Sequence, residues 1–135
     1  MLGELIMEER GKRTGLRVLP SKGQGPVVEV SFQASGRILG VEEMDLVTYT
    51  SVARPGGFLF GQGQGIVMTK DGDRVTWTGH GSGKFTGQAG AVSYRGAVYY
   101  ETASQKLARL NGAVGVFEYE ADENGNTHSK VWEWK

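Results

Sequence analysis

The chain has 135 residues, and its 15 basic and 15 acidic side chains cancel to zero net charge; it has no cysteine. That length fits one domain spanning 1–135, large enough to bury a core. The charge balance offers no global field to nucleic acid or an anionic membrane, and the missing thiols exclude disulfides, thiolate metal sites and cysteine nucleophiles.

The opening residues Met1 to Arg10 carry too short an apolar run for a signal peptide. Nothing approaches the ~20 apolar residues of a membrane helix. A cytoplasmic, bacterial-type protein is therefore expected. Glycine is the compositional outlier: 22 residues, against three prolines, where ~7% is usual. These glycines lie inside segments that otherwise read as strands.

Runs of Val, Thr, Tyr, Phe and Trp with period two, separated by Gly, Asp or Asn turns, predict an all-β sandwich or barrel. Strands are expected over 3–9, 14–20, 27–36, 45–54, 58–70, 73–84, 91–103, 113–121 and 127–134. Gly11-Lys12-Arg13-Thr14, the stretch from Ser21 to Pro26, and Arg54-Pro55-Gly56-Gly57 read as loops. With Asp71-Gly72 as a two-residue type I′ turn, Lys70 faces Asp73. One face of that hairpin then carries Met68/Val75, Ile66/Trp77, Gln64/Gly79 and Gln62/Gly81; the other carries Val67/Thr76, Gly65/Thr78, Gly63/His80 and Gly61/Ser82. The first is the expected core face. Glycines set opposite larger residues suggest shape matching and permit the coiling that closes a barrel.

Further on, Ser104 is a candidate cap for one short helical stretch, with Leu107 and Leu110 on one face and Gly112 as its end. Such a turn suits a plug over a barrel mouth. Lys84 to Val92 echoes Lys106 to Val114: each runs Lys, a large apolar residue, four more residues, then Gly-Ala-Val opening a strand. With Asn124-Gly125 as the last turn, Phe117 faces Trp132, Tyr119 faces Lys130 and Gly115 faces Trp134, with the Phe–Trp pair in the core; Glu118 and Glu133 fall on the opposite side.

Leu2-Gly3-Glu4-Leu5-Ile6, then Gly11-Lys12-Arg13-Thr14-Gly15-Leu16, resembles the opening of the allene oxide cyclase barrels. The run Gly81 to Gly90, and that from Lys106 to Gly112, resemble their glycine-rich strand-to-strand segments and those of uncharacterised bacterial barrels. The resemblance covers about half the chain in patches. It implies an eight-stranded antiparallel barrel, often trimeric, that cyclises a fatty-acid epoxide without metal or organic cofactor. No catalytic residue carries over, because Met7-Glu8 stands where the plant opening continues with proline.

Motifs for other chemistry fail on spacing. Gly83-Lys84 has Thr78 where a phosphate loop needs glycine, and neither Gly61 to Gly65 nor Gly79 to Gly83 completes a dinucleotide fingerprint. His80 and His128 are the only histidines, without metal-ligand spacing, and Ser82 sits too far along the strand from His80 for easy hydrogen bonding. Arg95, Tyr99 and Glu101 share one face, expected outward, where Tyr99 would suit a subunit interface. Arg10, Lys12, Arg13, Arg17 and Lys22 are interleaved with Glu8 and Glu9 and read as a solvated loop.

The expected fold is thus a closed antiparallel β-barrel of about eight strands with one short helical turn. Its interior is the candidate ligand site, lined by Gln62, Gln64, Trp77, Tyr94 and Tyr100, with no metal and no cofactor. Three functions stay open. One is a barrel binding a small apolar or amphipathic molecule, with Gln62 and Gln64 orienting its polar end. The second is a cofactor-free isomerase or cyclase, with Glu118 or Glu133 as first suspects should their faces be inverted. The last is a filled structural or protein-interaction barrel. Partners would be a small apolar ligand and further copies of the chain, not nucleic acid or membrane.

Overall fold

Eight antiparallel strands, each hydrogen-bonded to its neighbours in chain order and the last to the first, close a barrel in the computed structural model, which describes residues 2–23, 25–87 and 90–135. They are β1 (Leu2–Leu19), β2 (Val27–Ile38), β3 (Val41–Arg54), β4 (Phe58–Thr69), β5 (Arg74–Phe85), β6 (Val92–Thr102), β7 (Val114–Ala121) and β8 (Asn126–Trp134). The single short helical turn is 3-10, Ala108–Leu110. Fold class and strand count are as the sequence predicts.

The segments 3–9 and 14–20 are one continuous strand, so the loop expected at Gly11 to Thr14 is absent. Gly11 is needed there for close approach: a Cβ would lie 2.6 Å from Ala34 Cα on β2. A register irregularity between Arg13 and Gly15 takes up the remaining strain of coiling. Gln24, in the expected loop from Ser21 to Pro26, lies outside the described residues. So do Gln88 and Ala89 of the glycine-rich segment and its echo. The parts of the echo that are described do act alike: Gly90 and Gly112 both take positive φ just before Ala-Val leads into β6 and β7.

Both aromatic hairpins are shifted by one residue from expectation. Thr69 N–H donates to Asp73 O, and Gly72, at φ 89°, sits third in a three-residue loop. Asp122, Asn126 and Gly125 (φ 82°) repeat this geometry. It is a turn followed by a left-handed glycine, and it adds one residue to the two-residue turn that Asp-Gly and Asn-Gly also fit. Val67 therefore pairs with Val75, Gly65 with Trp77, and Phe117 with Val131. A one-residue slip moves a whole strand to the other face. Ile66 and Met68, expected in the core, are each 43% exposed, and Trp134 is exposed as well.

Two clusters fill the interior. Leu107 and Leu110 plug one end over Ile6, Ile38, Val67, Val75 and Val131. Phe32, Val47, Leu59, Tyr94 and Tyr119 fill the other, and Trp77 and Phe117 pack against both. The plug is where the sequence suggests it. Ser104 Oγ accepts from Leu107 N–H at 3.3 Å, while the 3-10 turn itself has no side-chain cap.

Candidate functional site

The inner face of β4 and β5 is largely glycine: Gly61 pairs with Gly81 and Gly63 with Gly79. The missing side chains make room for rings from other strands. A Cβ at Gly63 would meet Tyr49 Cβ at 2.5 Å, at Gly61 the Tyr94 ring at 2.7 Å, and at Gly81 the Phe117 ring at 2.9 Å. What the rings leave open is a cavity of about 80 Å³, room for several waters or a small molecule. Its walls include Phe32, Tyr49, Trp77, Tyr94, Phe117 and Tyr119, with Glu9 and Tyr100 also on its surface.

At the plug end of this cavity lie three carboxyl groups. Glu9 on β1 and Glu43 and Asp45 on β3 are 3%, 6% and 0% exposed. Both Asp45 oxygens accept from Trp77 Nε1–H at 3.2 Å. Outside the acid cluster itself, Glu9 Oε2 and both Glu43 oxygens meet no N–H or O–H donor among the described residues, and the Tyr100 hydroxyl, 3% exposed, has no partner either. Burial is the largest force on all three acids and disfavours their charged forms. Glu9 is pushed far above the ordinary carboxylate range by burial and by its hydrogen bonds and repulsion with Glu43 and Asp45. Burial pushes Asp45 up to about 7, against the opposing bonds from Glu9 and Trp77. The consistent state is a neutral Glu9 that donates its proton within the cluster.

At the opposite end the phenols are paired, although Arg13 Nε is buried without a partner among the described residues. Tyr49 and Tyr119 hydroxyls are 3.3 Å apart, and the Tyr94 hydroxyl is 2.6 Å from Ser51 Oγ. Arg13, in β1 instead of a solvated loop, donates to Gly90 O at 3.0 Å and lowers the tyrosine pKa values that burial raises.

Of the expected interior residues, Trp77, Tyr94 and Tyr100 do line the cavity. Gln62 and Gln64 do not orient anything inside. The strand at Gln62 borders the cavity, but its side chain is exposed, and Gln64 Nε2 donates to Thr48 O at 2.9 Å on the outer surface. The one-residue slip at Asp71-Gly72 put them outside. Glu118 and Glu133 are outside too, paired with Arg95 and Arg109. Arg95, Tyr99 and Glu101 point outward as expected, His80 is exposed, and His128 Nε2 lies 2.7 Å from Glu8. Among the described residues no group of three or more histidines and carboxylates has the geometry to hold a metal ion. No helix among them is long and apolar enough to cross a membrane.

Sequence reasoning missed Glu9, Glu43 and Asp45. The available signal was Leu39-Gly40, a two-residue turn with both φ positive (46° and 80°). It sets Phe32 opposite Val47, and alternation then carries Asp45 and Glu43 to the same inner face.

No protein-family model and no curated protein matches the chain. Solved structures do. A conserved protein of unknown function from Rhodopseudomonas palustris aligns with TM-score 0.82 at 13% identity, covering 98% of this chain and 97% of that one. A protein with unknown function from Clostridium acetobutylicum gives 0.84 at 12%, covering 98% of each. A β-barrel-like protein from Acinetobacter baumannii gives 0.78 at 13%, covering 98% and 96%. At such identities the likeness establishes the shared barrel fold alone.

Proposed function

We propose that the barrel binds a small amphipathic molecule in its interior. The observation that carries this reading is the cavity of about 80 Å³, walled largely by aromatic rings and aliphatic side chains, with Glu9 among its lining residues. Apolar walls with a few convergent polar groups are the usual make-up of a ligand site. Glu9 and Tyr100 take the orienting role first assigned to Gln62 and Gln64. Native mass spectrometry on protein from its own host, before and after denaturation, tests it. A stoichiometric small-molecule mass lost on denaturation is expected. The bare chain mass, together with no thermal shift across a fragment panel, would make the barrel a filled structural module.

A second reading, cofactor-free isomerisation as the allene oxide cyclase resemblance implies, draws support from the same carboxyl. An acid kept neutral by burial can donate a proton to a bound substrate. The cavity falls short of a long acyl chain, so the substrate would be smaller than a fatty-acid epoxide. Turnover of the retained ligand that Glu9→Gln abolishes without loss of binding would establish this reading. An interaction role draws on a different surface, the exposed outer ladder of Met44, Leu46, Ile66 and Met68. Self-association through it would appear as an oligomer mass in the same spectra.

A further inference from the structure

We propose that the ligand's polar end is a small organic cation, an alkylammonium group held by Glu9 and Tyr100 and surrounded by aromatic rings. This rests on the interior-binding reading and specifies its ligand. Two residues bordering the cavity, Glu9 and Tyr100, each carry a buried polar atom, Oε2 and Oη, that has no partner among the described residues. Both can accept hydrogen bonds, and an ammonium group brings three donors and no acceptor. Tyr49, Trp77, Tyr94 and Phe117 put rings on the rest of the wall, beside the aliphatic side chains of Met7, Val47, Val98 and Val131. Ring faces attract cations, most strongly where water is excluded.

The charges around the cluster point the same way. Glu43 and Asp45 face Glu9 from β3, Trp77 faces Asp45 from β5, and Tyr100 approaches from β6. No lysine or arginine acts on any of these acids or on Tyr100. Arg13 acts on Tyr49 and Tyr119, at the other end. Three buried carboxyl groups thus form one cluster that reaches the cavity wall through Glu9, with no cation acting on it among the described residues. An anionic ligand would be repelled there, and a neutral one would leave the carboxyl group needing its proton. An ammonium group would replace that proton, so binding releases one.

The test titrates isobutylamine, isobutanol and isobutyrate into the full-length protein and follows the indole N–H resonance of Trp77, identified with Trp77→Phe. Isobutylamine is expected to shift it saturably, at least tenfold more tightly than isobutanol, with isobutyrate silent. Its affinity should rise between about pH 6 and about pH 8, approaching a tenfold gain per unit for one released proton. Glu9→Gln should remove that pH dependence and weaken the amine tenfold or more, a larger loss than it causes for isobutanol. Tyr100→Phe should weaken the amine selectively, and it serves alone if Glu9→Gln fails to fold. Isobutanol binding as tightly as the amine would overturn the cation and leave interior binding standing. Amine affinity indifferent to both variants would overturn the assignment to Glu9 and Tyr100. No saturable shift with any of the three would overturn both readings.

Discussion

At the end of the barrel built on Phe32, Tyr49, Tyr94 and Tyr119, each of the three phenolic oxygens has a hydroxyl partner. At the end plugged by Leu107 and Leu110, the Tyr100 hydroxyl and Glu9 Oε2 have no partner among the described residues, and Glu43 meets no donor there but the proton of a neutral Glu9. Tyr94 and Tyr119 at one end and Tyr100 at the other are all buried, so burial alone does not separate them. The difference is whether the polar groups are matched. Matched groups in a low dielectric stabilise and fix one arrangement, while unmatched ones cost free energy. A fold retains such a cost most readily where a site needs it. The aromatic end is matched throughout its phenols, and the acidic end is the one that the proposed ligand site adjoins.

The largest test of that contrast is Phe32→Ala. Its ring stacks on Tyr119 with centroids 5.3 Å apart and meets Tyr49 edge-on at 6.3 Å. Truncating it leaves a void that three other strands must fill. Urea unfolding should show a loss of about 3–5 kcal/mol. A loss below about 1 kcal/mol would mean that the aromatic end is not where the stability lies.

Glu9→Gln should have the opposite sign. Unfolded, Glu9 and Asp45 release protons near 4.5 and 3.8; folded, burial holds them to higher pH, Asp45 to about 7. Across that window the native chain binds more protons than the unfolded one, so stability falls as pH rises. The contribution of this cluster to stability is therefore most favourable below about pH 4 and declines through pH 7 and beyond. Removing the Glu9 carboxyl should stabilise the fold by about 1–4 kcal/mol at pH 8, with a gain that shrinks toward pH 4. Urea midpoints at several pH values measure it. A variant destabilised by the same amount at every pH would show that the cluster is a structural network and not a strained site.

The fold was readable because period-two runs and glycine turns specify antiparallel strands whatever their register. The site was less readable because register decides which face is inside. Asp71-Gly72 and Asn124-Gly125 fit a two-residue turn as well as the three-residue loop actually formed. Reading the shorter turn left Val75, Trp77, Phe117 and Tyr119 correctly inside. It exchanged the faces of β4 and β8, bringing Gln62, Gln64 and Trp132 in and sending Val67 and Val131 out. The acidic cluster was hidden by a different effect. Along β3, apolar Met44 and Leu46 lie outside while Glu43 and Asp45 lie inside, so the usual hydrophobic alternation is inverted. Glu9 lay beside a basic run that imitates a solvated loop.

The smallest test removes one oxygen atom from each end. Tyr94→Phe deletes a hydroxyl bonded to Ser51 Oγ at 2.6 Å and should cost about 0.5–1.5 kcal/mol. Tyr100→Phe deletes a buried hydroxyl that has no partner among the described residues and that faces Glu9, Glu43 and Asp45. Removing an unsatisfied polar atom relieves its desolvation cost, so this variant should be neutral or slightly more stable. The two substitutions are chemically identical and both sites are buried, so hydrophobic transfer and ring packing largely cancel in the comparison. What is left is whether each oxygen is matched. If Tyr100→Phe costs as much as Tyr94→Phe, the Tyr100 hydroxyl has a partner in solution and the two ends do not differ. If it costs nothing while weakening an amine ligand, that hydroxyl serves the ligand and not the fold.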